Sequence, residues 1–219
     1  MTKGFITGEK MKIKLISVIL AALLSLFCFA ACSSEGMPDV QVPAGCRLAY
    51  SDVLDYYFAY PATVWFAGST ESGYLSVVKG SGGEDMSSVV VNSWEVEVPV
   101  GAKDYWEGIN NEKPELEDGV AITDPENTYG GYEYTLSQLV EGYTVVEAKE
   151  ETVCGYDAYR VTYEGKIAGS DYRIMQLTIA RIQGNKTIIY EFTYTSTPEF
   201  FEENLESVET MISSFGVKE

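Results

Sequence analysis

The hydrophobic positions form one long run near the start of the chain and alternate with polar positions after it. The run extends from Leu15 to Ala30 and follows Lys12 and Lys14. A positive start, an apolar run shorter than the about 20 residues of a membrane-spanning helix, and small residues behind it are typical of an export signal. This pattern predicts a signal peptide over residues 1–31. A permanent transmembrane helix is the alternative.

The end of the apolar run resembles the lipobox of bacterial lipoproteins, in which small residues precede a cysteine that receives a lipid. Ala30 and Ala31 stand before Cys32, and Phe29 takes the place of the usual leucine. The resemblance implies two or three acyl chains on Cys32, and more than one chain is needed for stable membrane attachment. We therefore expect Cys32 to be lipidated. The alternative is an ordinary secreted protein that is cleaved near Ala31.

The rest of the chain divides into a tether and one domain. Residues 33–43 contain two prolines and a glycine and lack periodicity, which predicts a flexible tether. The predicted organisation is a signal peptide over 1–31, the lipidated cysteine and tether over 32–45, and a single domain over 46–219.

Alternating hydrophobic residues predict a series of strands within the domain. The predicted strands lie at 48–60, 74–79, 87–98, 144–153, 159–163, 175–179 and 188–194. The hydrophobic residues of 87–98 do not keep one register, which predicts a bulge near Asn92. Gly184 lies in a predicted tight turn. A helix is predicted over 102–110 and a short helical turn over 136–140.

The clearest helix closes the chain. Thr197 is its predicted N-cap and Pro198 occupies the favoured first helical position. An apolar stripe at helical spacing should cover one face of the sheet, and Gly216 is predicted to end the helix. The stripe contains Phe201, Leu205, Val208, Ile212 and Phe215.

Three segments resemble PsbP-like and DcrB-like domains. A Tyr-Phe-Ala-Tyr-Pro run at 57–61 followed by Trp65 resembles their opening strand, a Gly-Tyr-Asp-Ala run at 155–158 resembles a strand entry, and 190–215 resembles their closing strand and helix. The resemblance implies an α+β fold with an antiparallel β-sheet flanked by helices. It also implies a binding or assembly module.

Charge restricts the partners of the domain. The whole chain has a net charge of −18, and residues 1–31 hold four lysines and one glutamate, so the remainder is near −21. Such a domain repels phosphate backbones and anionic headgroups, which excludes nucleic acid as a partner. The membrane is therefore met through the lipid anchor, and an unknown protein, peptide or glycan is the expected ligand.

Residue types also restrict the chemistry. The sequence has no histidine, which excludes Ser-His-Asp and Cys-His catalysis and histidine metal ligands. No cofactor and no metal site are predicted. An acidic segment could bind Ca²⁺ or supply a glycosidase carboxylate pair, and the plainer interpretation is a solvated loop. Its carboxylates are Glu112, Glu115, Glu117, Asp118, Asp124 and Glu126.

Two small sets of residues remain as candidates. Tyr129, Tyr132 and Tyr134 share a predicted loop with two glycines, where rigid aromatic rings can contact a peptide or a sugar. The alternative is that these tyrosines fill half-buried sheet edges. Cys46 and Cys154 could form a disulfide after export, or remain as buried thiols.

Two functional hypotheses follow. The first is a lipid-anchored binding or assembly module on the extracytoplasmic face of a bacterial membrane. The second is a hydrolase on the same anchor, acting on glycans or cell-wall material through carboxylates. The absence of histidine and of a nucleophile motif favours binding over catalysis. Ser33 does not resemble the aspartate that retains lipoproteins in an inner membrane, so an outer-membrane location is an alternative if the cell has two membranes.

Overall fold

The computed structural model describes residues 40–68, 73–80, 84–108, 116–117, 120–121 and 132–218. The predicted signal peptide and Cys32 lie outside these ranges. Within them, no helix combines the length and the apolar character that crossing a membrane requires.

The described ranges contain strands and helices in the proportions of an α+β domain. In chain order they are β1 Cys46–Tyr50, β2 Tyr56–Pro61, β3 Trp65–Ala67, β4 Leu75–Lys79, β5 Ser88–Val96, α1 Ala102–Glu107, β6 Leu116–Glu117, β7 Val120–Ala121, α2 Tyr132–Leu139, β8 Glu141–Val153, β9 Tyr156–Ile167, β10 Ser170–Gln183, β11 Lys186–Ser196, α3 Pro198–Ser213 and β12 Gly216–Val217.

A large antiparallel sheet forms the centre of the fold. Among the described residues it has seven strands in the order β3-β4-β5-β11-β10-β9-β8. Smaller sheets have the orders β1-β2-β12 and β6-β7. The antiparallel β-sheet flanked by helices that the sequence predicts is therefore confirmed.

Two-residue turns connect the four longest strands. Cys154 and Gly155 have φ values of 53° and 81°, and Ala168 and Gly169 have 52° and 86°. Positive φ at both positions defines the hairpin turn whose twist matches that of the flanking strands. The turn predicted at Gly184 is confirmed, with a φ of 65° at that glycine.

The predicted strand over 48–60 is wrong, because this segment folds as a hairpin. Leu48 of β1 lies opposite Ala59 of β2. Polar residues interrupt the apolar pattern between the two strands, and the N–H of Lys218 donates to the carbonyl oxygen of Asp55 there at 2.6 Å. The polar residues between the two strands form the turn after which β2 runs antiparallel to β1.

The bulge predicted near Asn92 is also wrong. β5 pairs with β11 in one continuous register, from Val96 opposite Thr187 to Ser88 opposite Thr195. The hydrophobic residues of β5 change face along the strand because both faces of the sheet are covered. The observed register shifts lie in β8 instead, next to Thr144.

One face of the main sheet packs against α3 and the small β1-β2-β12 sheet. Helix α3 buries Phe201, Val208, Met211 and Ile212, whereas Leu205 lies half-buried at the border. Removing this apolar surface from water is the main favourable term for docking the helix. The sheet residues of this core are Leu75, Val77, Val89, Val91, Met175, Leu177, Ile179, Tyr190, Phe192 and Tyr194.

The end of α3 differs from the prediction. The helix stops at Ser213, and Gly216 begins β12 opposite Tyr57. A Cβ atom at position 216 would lie 2.4 Å from the ring of Tyr57, so a larger residue there would displace that ring. Ser214 is instead the C-cap residue of α3, and its Oγ also accepts a hydrogen bond from the N–H of Ala59 at 2.9 Å.

The other face of the main sheet packs against α1 and α2. Ala102 and Trp106 of α1 and Leu136 of α2 are buried against it. The helix predicted over 102–110 is shorter in the described residues, and the turn predicted over 136–140 is the end of a longer helix. The remaining core residues on this face include Val96, Val100, Val140, Tyr159, Val161, Tyr163, Ile174, Ala180 and Ile189.

Candidate functional site

A groove of about 440 Å³ lies between the β3–β4 end of the main sheet and the first two turns of α3. It has an apolar wall, a polar floor and an acidic rim. The lining residues are Thr63, Val64, Phe66, Lys79, Gly80, Asp85, Phe200 and Glu203.

The apolar wall arises from alternation along β3. Trp65 points into the core with 1% of its surface exposed, so its neighbours Val64 and Phe66 point outward, with 40% and 42% exposed. The ring of Phe66 rests against Gly80, where a Cβ atom would lie 2.7 Å from the ring. The missing side chain at Gly80 lets the ring of Phe66 lie this close, and the rest of the ring is open to the groove.

The polar floor joins the sheet to α3. The amide nitrogen of Asn204 donates to Asp85 at 2.8 Å and to the hydroxyl of Ser87 at 3.1 Å, while its amide oxygen accepts from Lys79. Lys79 and Asp85 form an ion pair at 3.6 Å. Every member of this floor has partners within the protein.

Burial acts to raise the pKa of Asp85, but other contacts lower it overall. Hydrogen bonds from Ser87 and Asn204 and the charge of Lys79 all favour the ionised form. Lys79 also lies over the ring of Trp65, with 5.9 Å between its Nζ and the ring centroid. The floor is thus an ion pair between Lys79 and Asp85, held in place by Asn204, Ser87 and the ring of Trp65.

The acidic rim comes from the exposed side of α3. Glu203 lines the groove, and Glu199 lies one turn earlier on the same side of the helix. Among the described residues, neither carboxylate has a cation within ion-pair distance. Their neighbour Glu202 differs, because it accepts a hydrogen bond from Arg173 at 3.0 Å.

A second polar cluster lies in the core, on the sheet face that α1 and α2 cover. Glu191 is 2% exposed and accepts a hydrogen bond from Thr178 at 2.9 Å. Its other oxygen has no partner among the described residues. Burial raises the pKa of Glu191 to about 8, against hydrogen bonds from Thr178 and Gln176 that lower it. This carboxyl is therefore mainly neutral at pH 7.

A third polar group lies where α1 and α2 meet β9. The hydroxyl of Tyr159 donates to Glu107 at 3.1 Å. Burial, and after it the charge of Glu107, raises the pKa of Glu133 on α2. Nowhere in the described ranges are three cysteine or carboxylate side chains arranged to hold a metal ion.

The tyrosines predicted as a ligand loop are only partly described. Tyr129 lies outside the described residues, and Tyr132 and Tyr134 begin helix α2 rather than a loop. The helix starts earlier than predicted for two reasons. Glu133 lies at the favoured positive end, and Leu136 and Val140 bury at helical spacing.

The possible disulfide between Cys46 and Cys154 is not formed in the structure, where both cysteines are free. Cys154 is exposed and Cys46 half-buried, so they are not fully buried thiols either. Cys46 lies opposite Pro61, whereas Cys154 lies near Tyr57, whose pKa rises through burial and through that thiol. Pro61 and Tyr57 are about 13 Å apart along β2, and a disulfide needs Cα atoms within about 7 Å.

The groove residues did not emerge from the sequence. A three-residue strand is too short for alternation to be read, and Lys79, Asp85 and Asn204 are far apart in the chain. One local feature of the sequence could have indicated the apolar wall of the groove. Trp65 flanked by apolar Val64 and Phe66 leaves two large apolar side chains facing outward in any strand that buries the tryptophan.

Comparison with known proteins gives structural likenesses at low sequence identity. No protein-family model matches the sequence, and no curated protein is similar to it in sequence. LpqN, a protein of Mycobacterium tuberculosis involved in cell envelope biogenesis, is 11% identical with a TM-score of 0.40, covering 85% of this chain and 87% of LpqN. Cyanobacterial PsbP from Synechocystis is 16% identical with a TM-score of 0.42, and the match covers 86% of this chain and 98% of the PsbP chain.

The Ran-binding protein Mog1p of Saccharomyces cerevisiae is similar to the same extent. It is 9% identical with a TM-score of 0.43, and the match covers 78% of this chain and 95% of Mog1p. Likenesses at these identities and TM-scores decide neither the family nor the function of this chain. The geometry of the groove is therefore the basis for a functional proposal.

Proposed function

We propose that the protein is a lipid-anchored binding module that holds a partner in the groove between β3–β4 and α3. The observation that supports this most is the pair of large apolar side chains, Val64 and Phe66, exposed beside a fully hydrogen-bonded polar floor. Exposed apolar side chains that line a concave surface mark binding sites. The PsbP-like and DcrB-like resemblance of the sequence agrees with a binding or assembly role.

The anchor is Cys32, and the domain acts on the extracytoplasmic face of the membrane. Ala30 and Ala31 before Cys32, after an apolar run of signal length, support this part of the proposal. Cys32→Ala should release the protein from the membrane fraction. A Cys28→Ala variant is the matched control and should stay membrane-bound. A Cys32→Ala protein that remains with membranes at high salt would refute lipidation.

Binding is tested by thermal unfolding against a panel of peptides, glycans and divalent ions. A ligand of the folded domain should raise Tm in a saturable way, because binding to the folded state alone stabilises it. Phe66→Ala should abolish the rise. Val146→Ala, which truncates an exposed side chain at the opposite end of the sheet, should leave it unchanged. No rise with any class of compound, or a rise that survives Phe66→Ala, would contradict the proposal.

The hydrolase alternative has one supporting observation. Burial, and after it the charge of Glu107, raises the pKa of Glu133, and acid–base catalysis uses pairs of carboxyls whose pKa values are pushed apart. Hydrolysis of chromogenic glycosides or of cell-wall fragments tests it. Turnover that disappears in Glu133→Gln would favour the hydrolase over the binding module.

A further inference from the structure

We propose that the groove accepts a positively charged segment of a partner protein, with lysine or arginine side chains lying between Phe66 and Glu203. This inference rests on the proposed binding function and names the chemical class of the partner. Three properties of the groove support this inference. Its wall is apolar, the charges of its floor are already paired with each other, and its rim is negatively charged.

The apolar wall suits the stem of a long basic side chain. Lysine and arginine cover apolar surface with their methylene groups while their charged ends stay in a polar setting. Val64, Phe66 and Phe200 offer that surface along the groove. The open part of the Phe66 ring also attracts a cation that lies over it.

Among the described residues, the floor has no unpaired positive charge that could bind an anionic ligand. Lys79 is the cation of the groove lining, and it already contacts Asp85, Asn204 and the ring of Trp65. An anion would have to break this network, which leaves a half-buried carboxylate without its cation. Breaking such a pair is costly because the remaining charge stays desolvated.

The rim supplies the attraction. Glu203 lines the groove and Glu199 lies one helical turn before it, and neither has a cation within ion-pair distance in the described part of the chain. The chain beyond the predicted signal peptide has a net charge near −21, so the surrounding field also attracts a basic partner. A basic segment would therefore meet complementary charge at the rim and apolar contact inside.

The test is a titration of the full chain, embedded in phosphatidylcholine nanodiscs, with a dye-labelled peptide of lysine, serine and leucine. Fluorescence anisotropy reports binding, and empty nanodiscs correct for lipid. Two further peptides replace every lysine by glutamine or by glutamate. Two protein variants carry the same change of charge: Glu203→Lys in the groove, and Glu141→Lys on β8 at the opposite end of the sheet.

The lysine peptide should bind the native protein, and Glu203→Lys should weaken binding about tenfold, since it replaces an attraction by a repulsion. Glu141→Lys should change the affinity by less than about twofold, because salt screens distant surface charges. Phe66→Ala should weaken binding by a similar factor to Glu203→Lys. The glutamine and glutamate peptides should bind weakly or not at all.

Other outcomes overturn the inference in distinguishable ways. Equal losses in Glu203→Lys and Glu141→Lys would mean diffuse attraction to an acidic protein rather than binding in the groove. A glutamine or glutamate peptide that binds as tightly, in a manner dependent on Phe66, would refute the charge preference and leave the binding function standing. No binding by any peptide would refute the inference, and the thermal panel would then decide the binding function separately.

Discussion

The guanidinium of Arg160 binds both carboxylate oxygens of Glu209 and so ties β9 to α3. One hydrogen bond of the pair, from Nη2 to Oε2, measures 3.1 Å. The Nε of the same arginine donates to Glu151 of β8 at 2.8 Å. Only 8% of the Arg160 side chain is exposed, so its charge depends on these two carboxylates. The helix that borders the groove is thereby fixed to the sheet at its far end.

Glu209→Gln should lower the free energy of unfolding by about 1–2 kcal/mol. The substitution removes a charged hydrogen bond to a buried arginine, and the figure is moderate because Glu209 is itself half-exposed. Glu206→Gln on the same helix is the control, since that exposed side chain has no partner among the described residues. Urea denaturation measures both. Equal midpoints for the two variants would show that the ion pair does not hold the helix.

Glu191→Gln should flatten the pH dependence of stability. The pKa of this carboxyl is about 8 in the folded protein and about 4.3 in an unfolded chain. The folded state therefore keeps a proton that the unfolded state has lost, and the free energy of unfolding falls as pH rises between those values. The variant lacks this fall. Urea denaturation at pH 5.5 and pH 8 compares the two proteins, and parallel profiles would refute the raised pKa.

Met211→Ala should destabilise the domain more than Leu205→Ala. Met211 has no exposed surface, and truncating a buried side chain of this size costs about 2–5 kcal/mol. Leu205 lies at the border of the same apolar face and its loss should cost less than about 2 kcal/mol. Denaturation midpoints test the order. A larger effect at Leu205 would mean that α3 faces the sheet in a different rotation.

Cys154→Asn should stabilise the hairpin between β8 and β9 by about 0.5–1 kcal/mol, because asparagine tolerates the left-handed backbone that this turn requires. Cys154 has a φ of 53°. Cys154→Ala is the matched control, since it removes the thiol and keeps the strain. Stabilisation by alanine as large as by asparagine would attribute the effect to the thiol rather than to the backbone.

The sequence predicted the elements with long, regular patterns. Strands β9 and β10 are long, and apolar side chains such as Val161 and Leu177 alternate with others along them. Helix α3 carries apolar residues at helical spacing over several turns. Such patterns arise because one face of each element is buried, and the local sequence alone shows which residues share that face. The turn at Gly184 was predicted for a similar local reason.

The rest depended on contacts between distant segments. β5 lies beside β11, so the alternation of Val91 and Trp94 could not be interpreted without knowing that both sheet faces are covered. Glu191 would be assigned to a solvated face by its polarity, yet that face is buried in the described structure. The groove joins Phe66 to Glu203 across more than half of the domain, which no local pattern reveals.

The most direct test of the account is hydrogen–deuterium exchange of the full chain in phosphatidylcholine nanodiscs, with and without the saturating lysine peptide. Binding in the groove should slow exchange at residues 63–67 and 79–80 and in the first two turns of α3, and Phe66→Ala should remove that protection. Protection of β8, or of any other surface with the groove unchanged, would contradict the claim that this groove is the binding site.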